Sequence, residues 1–322
     1  METITSRFCD YQKEQKRLMN FWLDYRAASD VRTYPTIWRI RLLLTSRVGE
    51  QEKDTQIWEN GAGQIIGFAM LWRREPTSPY IVLDSFVHPR YATDELLLVI
   101  LQWGDRRANE IAKEQKIALT VYVTGFSRYD FSANILKQYD YTLLSSNPDE
   151  HNVYFAKPLQ NKIPFPAISS GYKIRHLQNS DDFESYQELY GFSKVNLLHQ
   201  KELIESDEYY HLVVVNSDEF AAYCECSVCY AEWERTNQRI GWIDYVETKP
   251  GQQKKGLGQA ILAAGLLQLQ ELGADIAMLI TVNTNIPAVS LYNRTGFDSV
   301  EIKEYPSYQK QIPSQTPSSL IA

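Results

Sequence analysis

Residues 250–258 read Pro250-Gly251-Gln252-Gln253-Lys254-Lys255-Gly256-Leu257-Gly258. A β-rich run, Ile240-Gly-Trp-Ile-Asp-Tyr-Val-Glu-Thr248, precedes them, and an apolar stretch suited to a helix, 257–272, follows. A strand that passes through a basic, glycine-containing turn into a helix N-terminus makes an anion cradle. The first N–H groups of a helix have no intrahelical acceptor, and the helix dipole adds about half a positive charge there. Gly256 and Gly258 carry no Cβ, so a phosphate can approach the main chain closely. Lys254 and Lys255 add side-chain charge. The loop is neither G-x-x-x-x-G-K-[ST] nor G-x-G-x-x-G, the spacings of the Walker and dinucleotide loops.

Downstream, 277–282 read as a second strand, with Gly273 ending the helix before it. Next comes Asn283-Thr-Asn-Ile-Pro-Ala-Val-Ser-Leu-Tyr-Asn-Arg-Thr-Gly-Phe297. Asn285 reads as an N-cap, Pro287 lies in the first turn, and Gly296 closes a short helix. The spacings Gln253-x-x-Gly256-x-Gly258 and Asn285-x-x-Ala288-x-x-Leu291-Tyr292-x-x-x-Gly296-Phe297 together resemble the pyrophosphate loop and closing motif of the GNAT superfamily. Its members are acyl-CoA-dependent N-acyltransferases. The resemblance covers 181–305 and implies an α/β (α+β) fold with a mixed, mostly antiparallel sheet flanked by helices. It implies acetyl-CoA, or another acyl-CoA, as co-substrate, lying where the strand ending at Thr248 splays from its neighbour after Ala277.

The same resemblance assigns residues to roles. Backbone groups at Val246, Glu247 and Thr248 would hold the pantetheine arm, and the N–H near Val246 would polarise the thioester carbonyl. Gln253, Lys254, Lys255, Gly256, Leu257, Gly258 and Gln259 would hold the pyrophosphate. Asn285 would bond the cofactor arm as well as cap its helix. Tyr292 matches the family's motif tyrosine and is the candidate general acid for the departing thiolate. The glutamate common in the family is replaced by Trp242. Asp244 lies two residues on, on the same strand face, and is the candidate base, directly or through a water. Its alternative is an ordinary strand-end hydrogen bond. Glu247 points to the opposite face unless the strand carries a bulge.

At 322 residues the chain is long enough for two domains. An internal repeat of about 160 residues is expected. Leu83-Asp84-Ser-Phe-Val-His-Pro89 parallels Ile243-Asp244-Tyr-Val-Glu-Thr-Lys-Pro250 with one extra residue in the second copy, and 135–141 parallels 291–297. These parallels imply tandem GNAT folds, a layout similar to that of mycothiol synthase. The expected division is a degenerate N-terminal domain at 1–158, a Pro/Ser/Gly linker at 159–171, a catalytic domain at 172–305 and a flexible tail at 306–322. After Pro89 the first copy has no glycine and two acids, Asp94 and Glu95, where phosphates would lie. That copy is expected to have lost the cofactor site and to wall the acceptor pocket.

The net charge of −7 argues against a nucleic-acid partner and permits a cationic amine. No run approaches the roughly 20 apolar residues of a membrane span, and the N-terminus has no leader-like apolar stretch, so a cytoplasmic protein is expected. Cys224 and Cys226 alternate with Tyr223 and Glu225 as one buried strand face would, which favours a core role and no metal for this cysteine cluster. The expected acceptor is a small-molecule or peptide amine, contacted by residues 192–211, and the protein is expected to be a monomer or homodimer. A non-catalytic acyl-CoA sensor, or transfer of a longer acyl group, is the alternative.

Overall fold

The computed structural model describes residues 3–45, 53–73, 75, 77–123, 133–144, 150–164, 167–177, 182, 206–217, 219–303 and 307–314. The expected helix at 180–190 and most of the 192–211 segment lie outside the described residues. Two compact units are present. Unit 1 comprises Met1–Asp30, Arg47–Asp149 and Glu304–Ala322, and unit 2 comprises Val31–Ser46 and Glu150–Lys303.

Unit 1 holds β1 (Thr5–Phe8), α1 (Tyr11–Ala28), β2 (Thr55–Glu59), β3 (Ile65–Trp72), β4 (Tyr80–Val87), α3 (Asp94–Gln115), β5 (Leu119–Val123), α4 (Ala133–Gln138), β6 (Thr142–Leu143) and β14 (Tyr308–Ile312). Its sheet runs β1-β2-β3-β4-β5-β14-β6, with β4 and β5 parallel and every other described pair antiparallel. Thr93 caps α3 by accepting from Leu96 N, and Asp94 and Glu95 occupy its first turn, where the dipole favours acids. Leu96, Ile100, Leu101, Ala108 and Ile111 of α3 pack on the sheet.

Unit 2 holds α2 (Ile37–Thr45), β7 (Asn152–Pro158), β8 (Tyr172–His176), β9 (Tyr209–Asn216), β10 (Glu219–Ser227), α5 (Tyr230–Thr236), β11 (Ile240–Thr248), α6 (Leu257–Glu271), β12 (Ile276–Val282), α7 (Ile286–Arg294) and β13 (Asp298–Lys303). Its sheet runs β13-β7-β12-β11-β10-β9-β8, with β11 and β12 the parallel pair. Strand for strand this repeats the order of unit 1. Each sheet, however, takes its sixth strand from the end of the other half of the sequence. β7 sits between β12 and β13, while β14 sits between β5 and β6.

The structure therefore differs from the expected boundaries. Residues 152–158 and 31–46 belong with the second unit, and 308–312 form a paired strand where a flexible tail was expected. The physical reason is satisfaction of the backbone: a gap between β5 and β6 would leave two rows of N–H and C=O groups without partners. A helix the sequence pattern misses, α5, follows β10 at once.

Glycine spacing records the repeat in three dimensions. A Cβ at Gly104 of α3 would stand 2.6 Å from Leu83 Cδ2, and one at Gly265 of α6 would stand 2.7 Å from Cys224 Sγ and 3.2 Å from Ile243 Cδ1. Leu83 and Ile243 are equivalent residues, one before Asp84 and Asp244. In both units a glycine lets the long helix press on the same point of the sheet.

Candidate functional site

The site in unit 2 is built where β11 leaves β12. The two strands pair only from Ile240↔Ile276 to Trp242↔Met278, yet β11 runs on to Thr248 and β12 to Val282. On its far side β12 stays paired with β7 up to Val282↔Asn152. The edge of β11 from Ile243 to Thr248 that faces β12 thus opens into a wedge, the splay the sequence predicts after Ala277.

At the wide end the chain turns through a 3₁₀ turn, Pro250–Gln252, into α6. Lys254 (φ 62°) and Gly256 (φ 78°) both take the left-handed conformation, which suits glycine and bends the loop sharply. Gly256 is the N-cap of α6, and no side chain caps this helix. The first intrahelical bond is donated by Ala260 N to Gly256 O at 3.0 Å, so the N–H groups of Leu257, Gly258 and Gln259 precede the ladder. A Cβ on Gly256 would meet nothing within 4 Å, so space lies open above it. Gly258 is tighter: a Cβ there would stand 3.2 Å from Thr248 Oγ1. Gln253 Nε2 donates to Thr248 O at 3.3 Å, holding the turn to the strand end. Lys254 and Lys255 are exposed, and Lys255 Nζ donates to Gln252 Oε1 and Tyr172 Oη. The equivalent helix start in unit 1 is occupied by the Thr93 hydroxyl and two acids.

A cavity of 510 Å³ opens beside this helix start. Gly256, Gln259 and Ala263 line it from α6, Arg294 from α7, and Lys157 and Lys162 from β7 and the segment after it. That segment is more than a spacer. Ile163 is part of the unit 2 core, and Gln270 Nε2 donates to Leu159 O and Asn161 O.

At the narrow end, β10 and β11 carry a bulge. Glu225 pairs with Tyr245 and Cys226 with Ile243, so Asp244 is the unpaired extra residue. It is the residue by which the second copy is longer than the first. Its effect is to place Asp244, Tyr245 and Glu247 on one face together with Trp242. Tyr223 Oη donates to Glu247 Oε2 at 2.9 Å and its ring stacks on Tyr245, while Ser227 Oγ donates to Asp244 Oδ2 at 2.5 Å. Glu247 thus shares a face with Asp244, in contrast to the opposite-face placement of an unbulged strand. Val246 turns the other way and packs against the core under α6, as do Cys224 and Cys226, which are fully buried there.

The face opposite α6 is covered too. Thr36, just before α2, approaches Asp244 Oδ1 with its hydroxyl at 3.4 Å. Trp38 Nε1 donates to Val228 O at 2.7 Å, and the Trp38 ring packs edge-on against Tyr209. Tyr209 Oη donates to Glu225 Oε2 at 2.6 Å, and His211 Nδ1 lies 3.5 Å from Glu225 Oε1. Burial among these groups raises the Asp244 carboxyl to about 7, and the nearby charge of Glu225 adds to the rise. The hydroxyls of Ser227 and Thr36 and the charge of Arg39 oppose it. An acid titrating near neutrality can accept a proton at cellular pH.

Tyr292 projects from α7 into the core of unit 2, its ring against Phe155 and Phe297. Burial, with a smaller contribution from Cys224, pushes its phenol up to about 12, so it is protonated at neutral pH. Asn285 caps α7 through its side chain, accepting from Ala288 N at 3.4 Å. The cysteine pair faces α6 within the core, and no cluster of metal-binding side chains occurs among the described residues. No helix among the described residues is long and apolar enough to cross a membrane. The contributions of Thr36 and Trp38 escape sequence reading, because their segment carries no local mark of belonging to this unit, and that of Ser227 escapes it because only the pairing of β10 with the bulged β11 sets the hydroxyl beside Asp244.

Residues 172–297 match the acetyltransferase (GNAT) family. A curated relative, a mycothiol acetyltransferase of Pseudarthrobacter chlorophenolicus, is 48% identical over 58 residues. That stretch is 18% of this chain and spans only 18% of the relative's length. A GCN5-related N-acetyltransferase from Sphaerobacter thermophilus superposes with a TM-score of 0.61 at 18% identity, covering 96% of each chain. A tandem GNAT protein from the clavulanic acid biosynthesis pathway superposes at 0.64 with 13% identity, covering 96% of this chain and 98% of its own. The chain is a tandem of two GNAT folds, and its residues 172–297 form a domain of the acetyltransferase (GNAT) family.

Proposed function

We propose that unit 2 transfers an acyl group, acetyl in the first instance, from its coenzyme A thioester to a primary amine by direct attack. The observation that carries this reading is the start of α6: a left-handed glycine with open space above it, no side-chain cap, and a strand wedge leading away from it. A phosphate-bearing group fits there, since the uncapped N–H groups need acceptors that no described residue supplies. Gly256, Leu257, Gly258 and Gln259 would hold the pyrophosphate, with Gln253, Lys254 and Lys255 around it. The cations Lys157, Lys162 and Arg294 make the adjoining cavity suitable for the remaining anionic end of the donor. Backbone groups of Val246, Glu247 and Thr248 would complete a ladder with the amide-bearing arm, to which Asn285 would add a bond.

Acetyl-CoA, when bound, supplies the thioester carbonyl that an amine attacks. Asp244 takes the proton that an ammonium acceptor must lose before it can attack. The N–H near Val246 polarises the carbonyl as negative charge develops on its oxygen. Tyr292 returns a proton to the departing sulfur, and no described residue otherwise hydrogen-bonds its hydroxyl. The acid-rich face of Asp244, Glu225 and Glu247 favours an acceptor that arrives as a cation.

Calorimetric titration of acetyl-CoA into the wild-type chain and a Gly256→Glu variant tests the reading. Glutamate at φ 78° is strained and sets a negative charge where the pyrophosphate is placed, so binding should be lost in the variant alone. Wild type that binds no acetyl-CoA overturns the proposal.

A further inference from the structure

The bulge at Asp244 puts an acid on the acceptor face but does not by itself orient its carboxyl group. Two buried hydroxyls do. Ser227, 1% exposed, donates to Oδ2 from β10, and Thr36, 2% exposed, donates to Oδ1 from the segment before α2. Each carboxylate oxygen therefore has its own donor, from a different element. Thr36 is itself held firmly. Its oxygen accepts from Arg39 N at 3.1 Å, its carbonyl accepts from Ile40 N at 3.0 Å, and Trp38 anchors the helix to Val228 O. With one lone pair of the Thr36 hydroxyl engaged by Arg39 N, its proton is directed outward toward Asp244.

We propose that Thr36 and Ser227 are positioning residues for Asp244, so that the base of unit 2 is set in part by a segment from the N-terminal region of the chain. Both donors are neutral. They favour the charged form of a buried acid without adding a charge that would compete for a cationic amine. The other charged groups facing Asp244 are Glu225 from β10 and Arg39 from the α2 side, while the Cys224 and Cys226 thiols lie on the opposite face of β10 and stay protonated. Glu225 disfavours ionisation of Asp244 and Arg39 favours it, leaving the two hydroxyls to fix geometry as well as proton affinity.

The inference rests on the acyl-transfer reading for its meaning, yet its test requires no acyl donor. The full chain is labelled with ¹³Cγ-aspartate, and the Asp244 carboxyl resonance, assigned by its absence in Asp244→Asn, is titrated from pH 4 to 9. Wild type should titrate near neutrality. Thr36→Val and Ser227→Ala should each raise the midpoint by about one pH unit, the loss expected for one hydrogen bond to a charged group. Thr36→Ser, which keeps the hydroxyl, should restore the wild-type midpoint. The Trp38 indole N–H resonance shows whether α2 remains docked in Thr36→Val. If α2 has moved, Ser227→Ala decides, since its strand lies in the sheet. A wild-type midpoint near 4, or unchanged midpoints in Ser227→Ala or in Thr36→Val with Trp38 in place, overturns the proposal. Loss of acetyl-CoA binding would instead count against the transferase reading and leave this titration intact.

Discussion

Replacing Asp244 by asparagine should make the protein more stable at pH 8 while disabling it. The carboxyl titrates at about 7 in the folded chain against an ordinary 3.8, a difference of about 3 units, because burial disfavours its charge. A folded acid with a raised pKa holds its proton where the unfolded chain has released it. Between pH 4 and 7 the native state therefore binds more protons than the unfolded one, and stability falls as pH rises. At about 1.4 kcal/mol per unit the full cost above pH 7 is about 4 kcal/mol. Asparagine keeps the shape and carries no charge, but one of its terminal atoms is a donor facing a hydroxyl, which offsets part of the gain. A net stabilisation of about 2 kcal/mol at pH 8 is expected, turning into a destabilisation of about 2 kcal/mol at pH 4, where the cost of the charge has nearly gone and the donor mismatch remains. Urea unfolding of wild type and Asp244→Asn at both pH values measures it. A variant no more stable than wild type at pH 8, or equally stabilised at pH 4 and pH 8, would refute the reasoning.

Other consequences can be checked separately. Tyr292→Phe should lower kcat by about 10²-fold with acetyl-CoA affinity unchanged in calorimetry, the loss usual for a general acid; equal turnover would remove Tyr292 from that role. Gly265→Val should cost about 2–3 kcal/mol in thermal or denaturant unfolding, because its Cβ would press on Cys224 Sγ at 2.7 Å within a close-packed core. A chain ending at Lys303 lacks β14 and should lose slow amide exchange across β5, measured by hydrogen exchange; retained protection would mean that β14 contributes little to unit 1. An excised 159–322 fragment lacks both β7 and α2 and should give no cooperative unfolding transition.

The loop at 250–258 and the closing helix were legible because each depends on local chemistry. Gly256 and Gly296 must take positive φ, Asn285 must cap, and Pro250 and Pro287 occupy turn and first-turn positions, all within a few residues. The extra residue of the second copy was visible by counting from Asp84 to Pro89 against Asp244 to Pro250, and the structure shows it as the bulge that re-aims Glu247. Strand partners were not legible. The alternation of Asn152–Pro158 fits either sheet equally well, and only long-range pairing with Ile276–Val282 places it in unit 2. The strand pattern of Tyr308–Ile312 was likewise hidden by flanking prolines and serines. The face of β10 that carries Tyr223, Glu225 and Ser227 reads as half-polar, yet these residues are buried, and beside them Thr36 and Trp38 reach Asp244, Val228 and Tyr209 from more than 170 residues upstream.

The exchange of sixth strands sets the order in which the protein can be completed as it is made. Domains in a growing chain usually close from the N-terminus onward. Here the sheet of unit 1, though synthesised first, has a slot between β5 and β6 that stays empty until Tyr308–Ile312 has been translated. Unit 2 is different, since β7 and α2 are already waiting when its own strands appear. The last-made unit is therefore the first that can finish, and the first-made unit must wait with two bare strand edges for about half of synthesis, from Leu143 to Tyr308.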